Sequence, residues 1–488
     1  MMRLGELLSG TPAARWSSAQ AREAVIGGLC QDSRSVQRGD LFVGMPGESV
    51  DGRRFVEDAH RREAAAILIE DDGRALPDPG VAVTGLRSAL GGIASRFFGE
   101  PSAQLEVVAV TGTNGKTSCS QYVAQLCAAA GVDCGVIGTM GHGVPGALVG
   151  PSLTTPEPVR LQSILAEFVA EGRSAAAIEA SSHGLVQGRL NGTRLRVAAF
   201  TNITRDHLDY HADFDAYKAA KALLFRWPGL EAAVVNADDP WGAELVAMCE
   251  APVWTYSATG REATVQAYDC EFGPRGTRFT LAEGGRSATV GNSLLGDFNV
   301  ANGLAAFAAV RALGVPFDEA AAALGNLRHA RGRMELLPTG ASRPAAMIDY
   351  AHTPDALESA LRAARGHCWG SLWVVFGCGG DRDRGKRADM GRIAETLAEH
   401  VVLTDDNPRS ESSAAIIADI ASGLGRLQPT VLNDRAEAIR FALHSSGPGD
   451  LVVIAGKGHE DYQERDGVRR PFSDFEVARQ ALEDGAWT

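Results

Sequence analysis

The sequence predicts an α/β protein in three domains: a small N-terminal α/β unit, a central sheet carrying a phosphate loop, and a doubly wound C-terminal domain. Three observations carry that prediction. At 488 residues the chain is too long for one hydrophobic core. Short apolar runs alternate with helical stretches in its central and C-terminal parts, the pattern of parallel sheets covered by helices. And nearly every such run ends in polar or glycine-rich residues, where open α/β sheets bind ligands.

The first region, residues 1–102, places apolar runs at 41–43, 65–69 and 81–83 between polar turns and holds no catalytic cluster of its own. The second, 103–331, opens with a strand at 105–110, a loop, and a helix at 117–130 that stops at Gly131. Further strands at 175–178, 197–200 and 232–235 end at Glu179 with Ser181 and His183, at 202–207, and at 236–239. Residues 253–291 read as hairpins. The third region, 332–488, sets strands at 346–348, 372–376, 401–403 and 451–454 against helices at 354–365, 386–399, 412–424 and 435–443. Their ends carry Asp349, the stretch 377–383, the stretch 405–409 and the stretch 456–460.

Composition excludes several classes of function. A net charge of −13 argues against a protein that tracks nucleic-acid phosphates. Eight cysteines with no Cys-x-x-Cys pair fit a reducing cytoplasm. No basic start followed by an apolar stretch and no run of membrane-spanning length is present, so a cytoplasmic chain without membrane insertion is expected.

The most informative stretch is Thr-Gly-Thr-Asn-Gly-Lys-Thr at 111–117. Gly112, Thr113, Asn114 and Gly115 let the backbone turn and aim N–H groups at an anion, Lys116 adds a point charge, and Thr117 and Ser118 open the helix. Lys116 is expected on the β- and γ-phosphates of a nucleotide and the Thr117 hydroxyl on Mg²⁺. The common Gly-x-x-x-x-Gly-Lys-Thr spacing would put glycine where this chain has Val110, which marks a variant loop. Glu179 and His207, each just past a strand, can complete coordination of a divalent ion at such a loop, although residues of either type more often serve packing. Lys221, in Tyr-Lys-Ala-Ala-Lys-Ala-Leu-Leu-Phe, reads locally as a solvated residue of an amphipathic helix, with Lys218 one turn earlier competing for any special role. Arg409, stiffened by Pro408, suits a bidentate grip on a carboxylate, the alternative being a helix-start loop capped by Ser410 or Ser412.

Together these segments, with Asp32-Ser33-Arg34, Thr154-Thr155-Pro156, the stretch 299–302, Gly332-Arg333-Met334-Glu335, the stretch 379–387 and the stretch 456–463, resemble the Mur ligase family in its diaminopimelate-adding branch, over nearly the whole chain. The resemblance implies three domains (1–102 for the UDP end of the substrate, 103–331 for ATP, 332–488 Rossmann-like for the amino acid) and a monomer. It implies ATP-dependent joining of meso-diaminopimelate to the D-glutamyl side-chain carboxylate of UDP-N-acetylmuramoyl-L-alanyl-D-glutamate through an acyl phosphate, in peptidoglycan precursor synthesis. Ser33, Glu48, Ser49 and Val50 are then expected near uridine, and Leu153, Thr154, Thr155, Ser181, Gln187 and Arg189 on the muramoyl dipeptide. Asn299, Asn302, Arg333 and Asp349 are expected on ATP. Lys221 matches the lysine carbamylated in the family, which makes Thr117, Glu179, His207 and the Lys221 carbamate the expected Mg²⁺ ligands. Arg382, Asp406, Asn407, Pro408, Arg409, Gly456 and Glu460 match the diaminopimelate site. The chain departs from the family at Glu48, Ser49 and Leu153. Folylpolyglutamate synthase, a lysine-adding ligase and a non-catalytic nucleotide-binding protein are the competing readings.

Overall fold

The computed structural model describes residues 1–11, 14–47, 50–150, 153–207, 210–273, 276–337 and 343–484. Two compact units emerge: residues 1–254 with 309–315, and residues 255–308 with 316–488.

In the first unit, a five-stranded sheet runs Ala14–Trp16, Gly80–Val83, Ala66–Glu70, Asp40–Gly44, Gly28–Cys30, parallel except for its first strand. A second sheet holds five parallel strands in the order Cys134–Gly138, Ala175–Glu179, Glu106–Thr111, Val197–Phe200, Ala232–Asn236. The hairpin Gly141–Val144 and Ala147–Val149 extends its edge. The central strand is buried along nearly its whole length, as continuous Val and Ala predict for a sheet covered on both faces. On one face Val107, Ala109, Ile178 and Phe200 pack with Leu161, Ile164 and Phe168 of the helix Pro158–Ala170. The helix Lys116–Ala129 lies against the strands Cys134–Gly138 and Ala175–Glu179. The N-terminal sheet is locked to this core where the backbones of Gly91 and Asn191 touch, leaving no room for a Cβ on Gly91.

In the second unit, Val265–Gly273, Gly276–Glu283 and Arg286–Asn292 form the antiparallel meander that the hairpin pattern predicted. A six-stranded sheet follows in the order Glu335–Leu337, Ala345–Asp349, Leu451–Ala455, Leu372–Phe376, His400–Leu403, Thr430–Val431, parallel apart from its first pair. Adjacent residues of one strand enter opposite cores. Val374 and Val453 meet Leu357, Leu361, Ile393 and Ile420, while Val375 and Val452 meet Ile439, Leu443 and Leu482. Period-2 alternation thus builds two hydrophobic layers, the doubly wound arrangement expected from sequence. Thr353, with Pro354 after it, and Asp434 cap two of the covering helices through their side chains.

One charged pair sits wholly inside this domain. Arg435 donates through Nε and Nη2 to the Asp474 carboxylate at 2.7 Å each, and both side chains are 0% exposed. Removing one partner strands the other charge out of water. Arg435→Leu is expected to destabilise the chain by about 3 to 5 kcal/mol. The double variant Arg435→Met with Asp474→Leu should recover most of that loss in chemical denaturation.

Candidate active site

The phosphate loop grows out of the central strand of the first unit. Val110 stays in the strand, buried and in register with Glu179, and its carbonyl accepts Ala180 N–H at 2.8 Å. The position that is glycine in the common motif is therefore sheet here, and the turn begins only at Gly112. Gly112 (φ 151°) and Gly115 (φ 87°) take backbone conformations that L-residues avoid, and a Cβ on Gly112 would collide with Thr201 Oγ1. The loop is braced from the neighbouring strand end: Asn114 N–H donates to Asn202 Oδ1 at 3.0 Å, and Thr201 Oγ1 donates to Asn114 O at 2.6 Å.

Two lysines converge on one carbonyl of this loop. Lys116 Nζ donates to Gly112 O at 2.8 Å and to Thr113 O at 2.9 Å; Lys221 Nζ reaches the same Gly112 O at 2.7 Å. Lys221 is 1% exposed and lies over the Tyr217 ring, 4.5 Å from its centre. The amphipathic pattern of its helix, Phe214–Ala222, reads it as solvated; the structure corrects this, because that face is covered by the loop. Lys218 is the partly exposed one, over Phe214. Burial, and then the nearby Lys116 charge, push the Lys221 amine well below the usual lysine range.

Glu179 is also buried, 1% exposed, at the end of the adjacent strand. Its Oε2 accepts the Thr117 hydroxyl at 3.0 Å and the Thr139 hydroxyl at 3.1 Å, and its Oε1 accepts Thr139 N–H at 3.1 Å. Thr139 Oγ1 lies 3.0 Å from Thr154 Oγ1, linking this carboxylate to the expected dipeptide contacts. Those contacts form their own network: Thr155 Oγ1 donates to Glu179 O at 2.7 Å, and Ser181 caps its helix through Gly184 N–H at 3.0 Å. Arg189 Nε donates to Gln187 Oε1 at 2.8 Å. Leu153 is exposed. His207 adopts a left-handed backbone (φ 54°), and its ring packs edge-on to His183 at 4.8 Å and to Tyr217 at 6.2 Å. Ser33 is buried and Val50 exposed, while Glu48 and Ser49 lie outside the described residues.

In the second unit, Asp349 ends its strand by accepting Met334 N–H and Ala351 N–H at 2.8 Å each, which fixes Arg333 over the Tyr350 ring at 4.5 Å. Burial raises the Asp349 carboxyl above its ordinary range, against the lowering pull of Arg333. Asn299 donates to Leu295 O at 2.7 Å, and Leu295 shares a core with Met334 and Ala351. Beyond the strand His400–Leu403, Asp406 and Asn407 are buried, Arg409 adopts φ 51°, and Arg409 Nη1 donates to Gly380 O at 2.7 Å. Non-glycine residues rarely hold such a conformation unless their surroundings enforce it. Here Arg409 N–H donates to Glu464 O at 3.1 Å and Asp466 N–H to Arg409 O at 2.8 Å. Ser412 holds the N-cap position of the helix Ser413–Ala421 but makes no side-chain cap bond, and Ser410 donates instead to Asp381. Gly456 (φ 116°) abuts Asp406, leaving no room for a side chain. Arg382 is exposed.

Two residues escaped the sequence reading. Thr139 follows a strand, Cys134–Gly138, whose glycines hide it as an apolar run. Lys457 lies between two glycines, the usual setting of a solvated loop residue, yet it is 0% exposed.

If Lys221 is neutral in the folded chain and charged when unfolded, its contribution to stability falls as pH drops from the ordinary lysine range toward its depressed folded value. In CO₂-depleted buffer, the melting temperature of Lys221→Met relative to the parent chain should therefore rise between pH 9 and pH 6.

Three family models match: the Mur ligase family catalytic domain over residues 25–98, the Mur ligase middle domain over 110–310, and the Mur ligase glutamate ligase domain over 332–458. The chain is 47% identical over 472 residues to the UDP-N-acetylmuramoyl-L-alanyl-D-glutamate--2,6-diaminopimelate ligase of Pseudomonas aeruginosa, covering 96% of each chain. It is 48% identical to the protein of that name from Acidovorax sp. (strain JS42), covering 94% of this chain and 95% of the relative. A solved structure of a UDP-N-acetylmuramoyl-L-alanyl-D-glutamate--2,6-diaminopimelate ligase matches at 36% identity, with a TM-score of 0.73 and 99% of each chain covered. The fold is shared more widely: a MurF ligase from Thermotoga maritima, solved with ADP, aligns with a TM-score of 0.65 at 19% identity. The phosphate loop, the paired strand-end sites and these matches along the whole chain agree, and the chain belongs to the Mur ligase family.

Proposed function

We propose that this chain is an ATP-dependent amide ligase that joins meso-diaminopimelate to the D-glutamyl side-chain carboxylate of UDP-N-acetylmuramoyl-L-alanyl-D-glutamate, in the cytoplasm and as a monomer. The observation that carries the catalytic reading is the convergence of Lys116 and Lys221 on Gly112 O beside the buried Glu179. Three domains serve it: residues 1–102 for the UDP end, 103–331 for ATP, and 332–488 for the amino acid.

The donor set fits Mg²⁺. Thr117 Oγ1 and Glu179 Oε2 are hard oxygen donors 3.0 Å apart in buried surroundings. Among the described residues no group of three or more His, Cys, Asp or Glu side chains stands ready for a metal. A further oxygen ligand must come from elsewhere, and Lys221 supports one. Burial pushes the Lys221 amine well below the usual lysine range, which favours its neutral, nucleophilic form, and carbamylation would turn that amine into a carboxylate-like anion. Thr117, Glu179, His207 and carbamylated Lys221 would hold the ion, which offsets charge between the phosphate and carboxylate reactants.

The chain's own residues then divide the work. Loop N–H groups and Lys116 hold the β- and γ-phosphates in line with the D-glutamyl carboxylate. That carboxylate attacks the γ-phosphorus, ADP leaves, and an acyl phosphate forms. The diaminopimelate amine adds to its carbonyl, and the tetrahedral adduct expels phosphate to leave the amide. Arg189, Gln187, Thr154 and Thr155 orient the dipeptide; Asn302, Asn299, Arg333 and Asp349 hold the nucleotide. Arg409 faces the carboxylate that distinguishes diaminopimelate from lysine, supported by Asn407, Glu460 and Arg382. A lysine substrate would leave the guanidinium without its partner, a cost of about 3 kcal/mol, on the order of a hundredfold in selectivity.

The direct test offers ATP, Mg²⁺ and the UDP-muramoyl dipeptide with either diaminopimelate or lysine, and reads the UDP product by mass. Tripeptide with diaminopimelate is expected; no tripeptide with either amino acid refutes the proposal. Arg409→Ala should lower the preference for diaminopimelate over lysine by at least about tenfold in kcat/KM. Lys221→Ala should lose more than about 99% of activity, as expected when a metal-holding group is removed, and regain part of it with added formate or acetate. A fully active Lys221→Ala enzyme would dispose of the carbamate.

A further inference from the structure

Lys457 is wholly buried at the end of the strand Leu451–Ala455, a rare placement for a lysine unless its charge is matched. Its Nζ donates to Asn407 Oδ1 at 2.9 Å and to Glu460 Oε2 at 3.1 Å, and stands 3.6 Å from Asp406 Oδ1. Asn407 is pinned from both ends. Its Oδ1 also accepts Glu464 N–H at 2.9 Å, and its Nδ2 donates to Glu460 Oε2 at 2.9 Å. Only one orientation of the amide satisfies this set, since the lysine can donate but never accept.

The consequence falls on Glu460. Two donors, Lys457 Nζ and Asn407 Nδ2, converge on its Oε2, while none of the hydrogen bonds among the described residues uses its Oε1. The carboxylate is thereby held in one rotamer with one oxygen committed and the other open. The charges do not cancel either, because the two cations Lys457 and Arg435 stand among three carboxylates, Asp406, Glu460 and Asp474. Such a site favours an ammonium ion at the open oxygen. The distal end of diaminopimelate carries an ammonium beside the carboxylate assigned to Arg409.

Resting on the proposed function, we infer that Lys457 is a positioning residue for the amino-acid substrate: it orients Asn407 and Glu460 so that Glu460 Oε1 receives the distal ammonium. Its hydrogen bonds go to Asn407 and Glu460, and it is not among the residues assigned to ATP or to the dipeptide. Its loss should thus weaken amino-acid binding selectively.

The test uses the full-length enzyme with Lys457→Met, and with Lys457→Gln, which is neutral but keeps a donor, in case the first does not fold. Each should raise the KM for diaminopimelate by at least about tenfold, the scale of a lost charged hydrogen bond. The KM values for ATP and the UDP-muramoyl dipeptide should stay within about twofold, the spread of a change that leaves those sites intact. Dipeptide-dependent positional isotope exchange in ATP, which reports acyl-phosphate formation without amino acid, should persist. An unchanged diaminopimelate KM in a folded variant overturns the inference. So does a parallel rise in all three KM values, or loss of the isotope exchange, because either means general damage. Failure of the parent enzyme to use diaminopimelate would instead count against the proposed function itself, so the two failures are distinguishable.

Discussion

The carbonyl of Gly112 is the point on which the central site depends. It accepts from Lys116 and from Lys221 at once, a geometry that two ammonium ions in a buried space would oppose through like-charge repulsion and lost hydration. Covering Lys221 pushes its amine well below the usual lysine range and so favours the uncharged form, while Lys116, only partly buried, keeps its place at the helix start. The asymmetry comes first from burial and then from the Lys116 charge beside Lys221, since the two side chains are chemically identical.

The surrounding elements exist to hold that arrangement still. Extending the strand through Val110 puts Glu179 beside the loop in register, and Thr117 and Thr139 then satisfy its buried carboxylate. Gly112 cannot gain a side chain because Thr201 closes over it, and Thr201 in turn holds Asn114. The substitution of valine for glycine is therefore a change in where the strand ends. The residues from Gly112 to Thr117 still form the turn and the helix start.

The second unit meets a similar electrostatic problem by the opposite means. Lys457 is as buried as Lys221, yet it stands among Asp406, Asn407 and Glu460, which compensate its charge. Buried lysines thus take contrary roles according to what faces them: a carbonyl and another cation in one case, carboxylates and an amide oxygen in the other. Arg409 adds a third device, a left-handed backbone enforced by hydrogen bonds on both sides of its peptide. It aims a planar guanidinium from a position that an unconstrained loop would not keep.

The sequence by itself determined the α/β class, the order of strands and helices, the phosphate loop and the strand ends that carry polar side chains. These follow from local rules: period-2 and period-3.6 patterning, glycine in tight turns, proline and capping residues at helix starts. It also held the family resemblance, because motifs such as Thr-Gly-Thr-Asn-Gly-Lys-Thr and Asp-Asn-Pro-Arg are contiguous. Only the tertiary structure decided which lysines are buried. Lys221 lies on a helix whose pattern marks it as solvated, and Lys457 in a loop between glycines, and both are covered by segments more than 40 residues away, Gly112 and Asn407. Thr139 was hidden for the same reason, its partner Glu179 coming from a neighbouring strand. Burial and charge matching depend on what packs against a residue, and that is fixed by the whole chain's packing, beyond the reach of local sequence pattern.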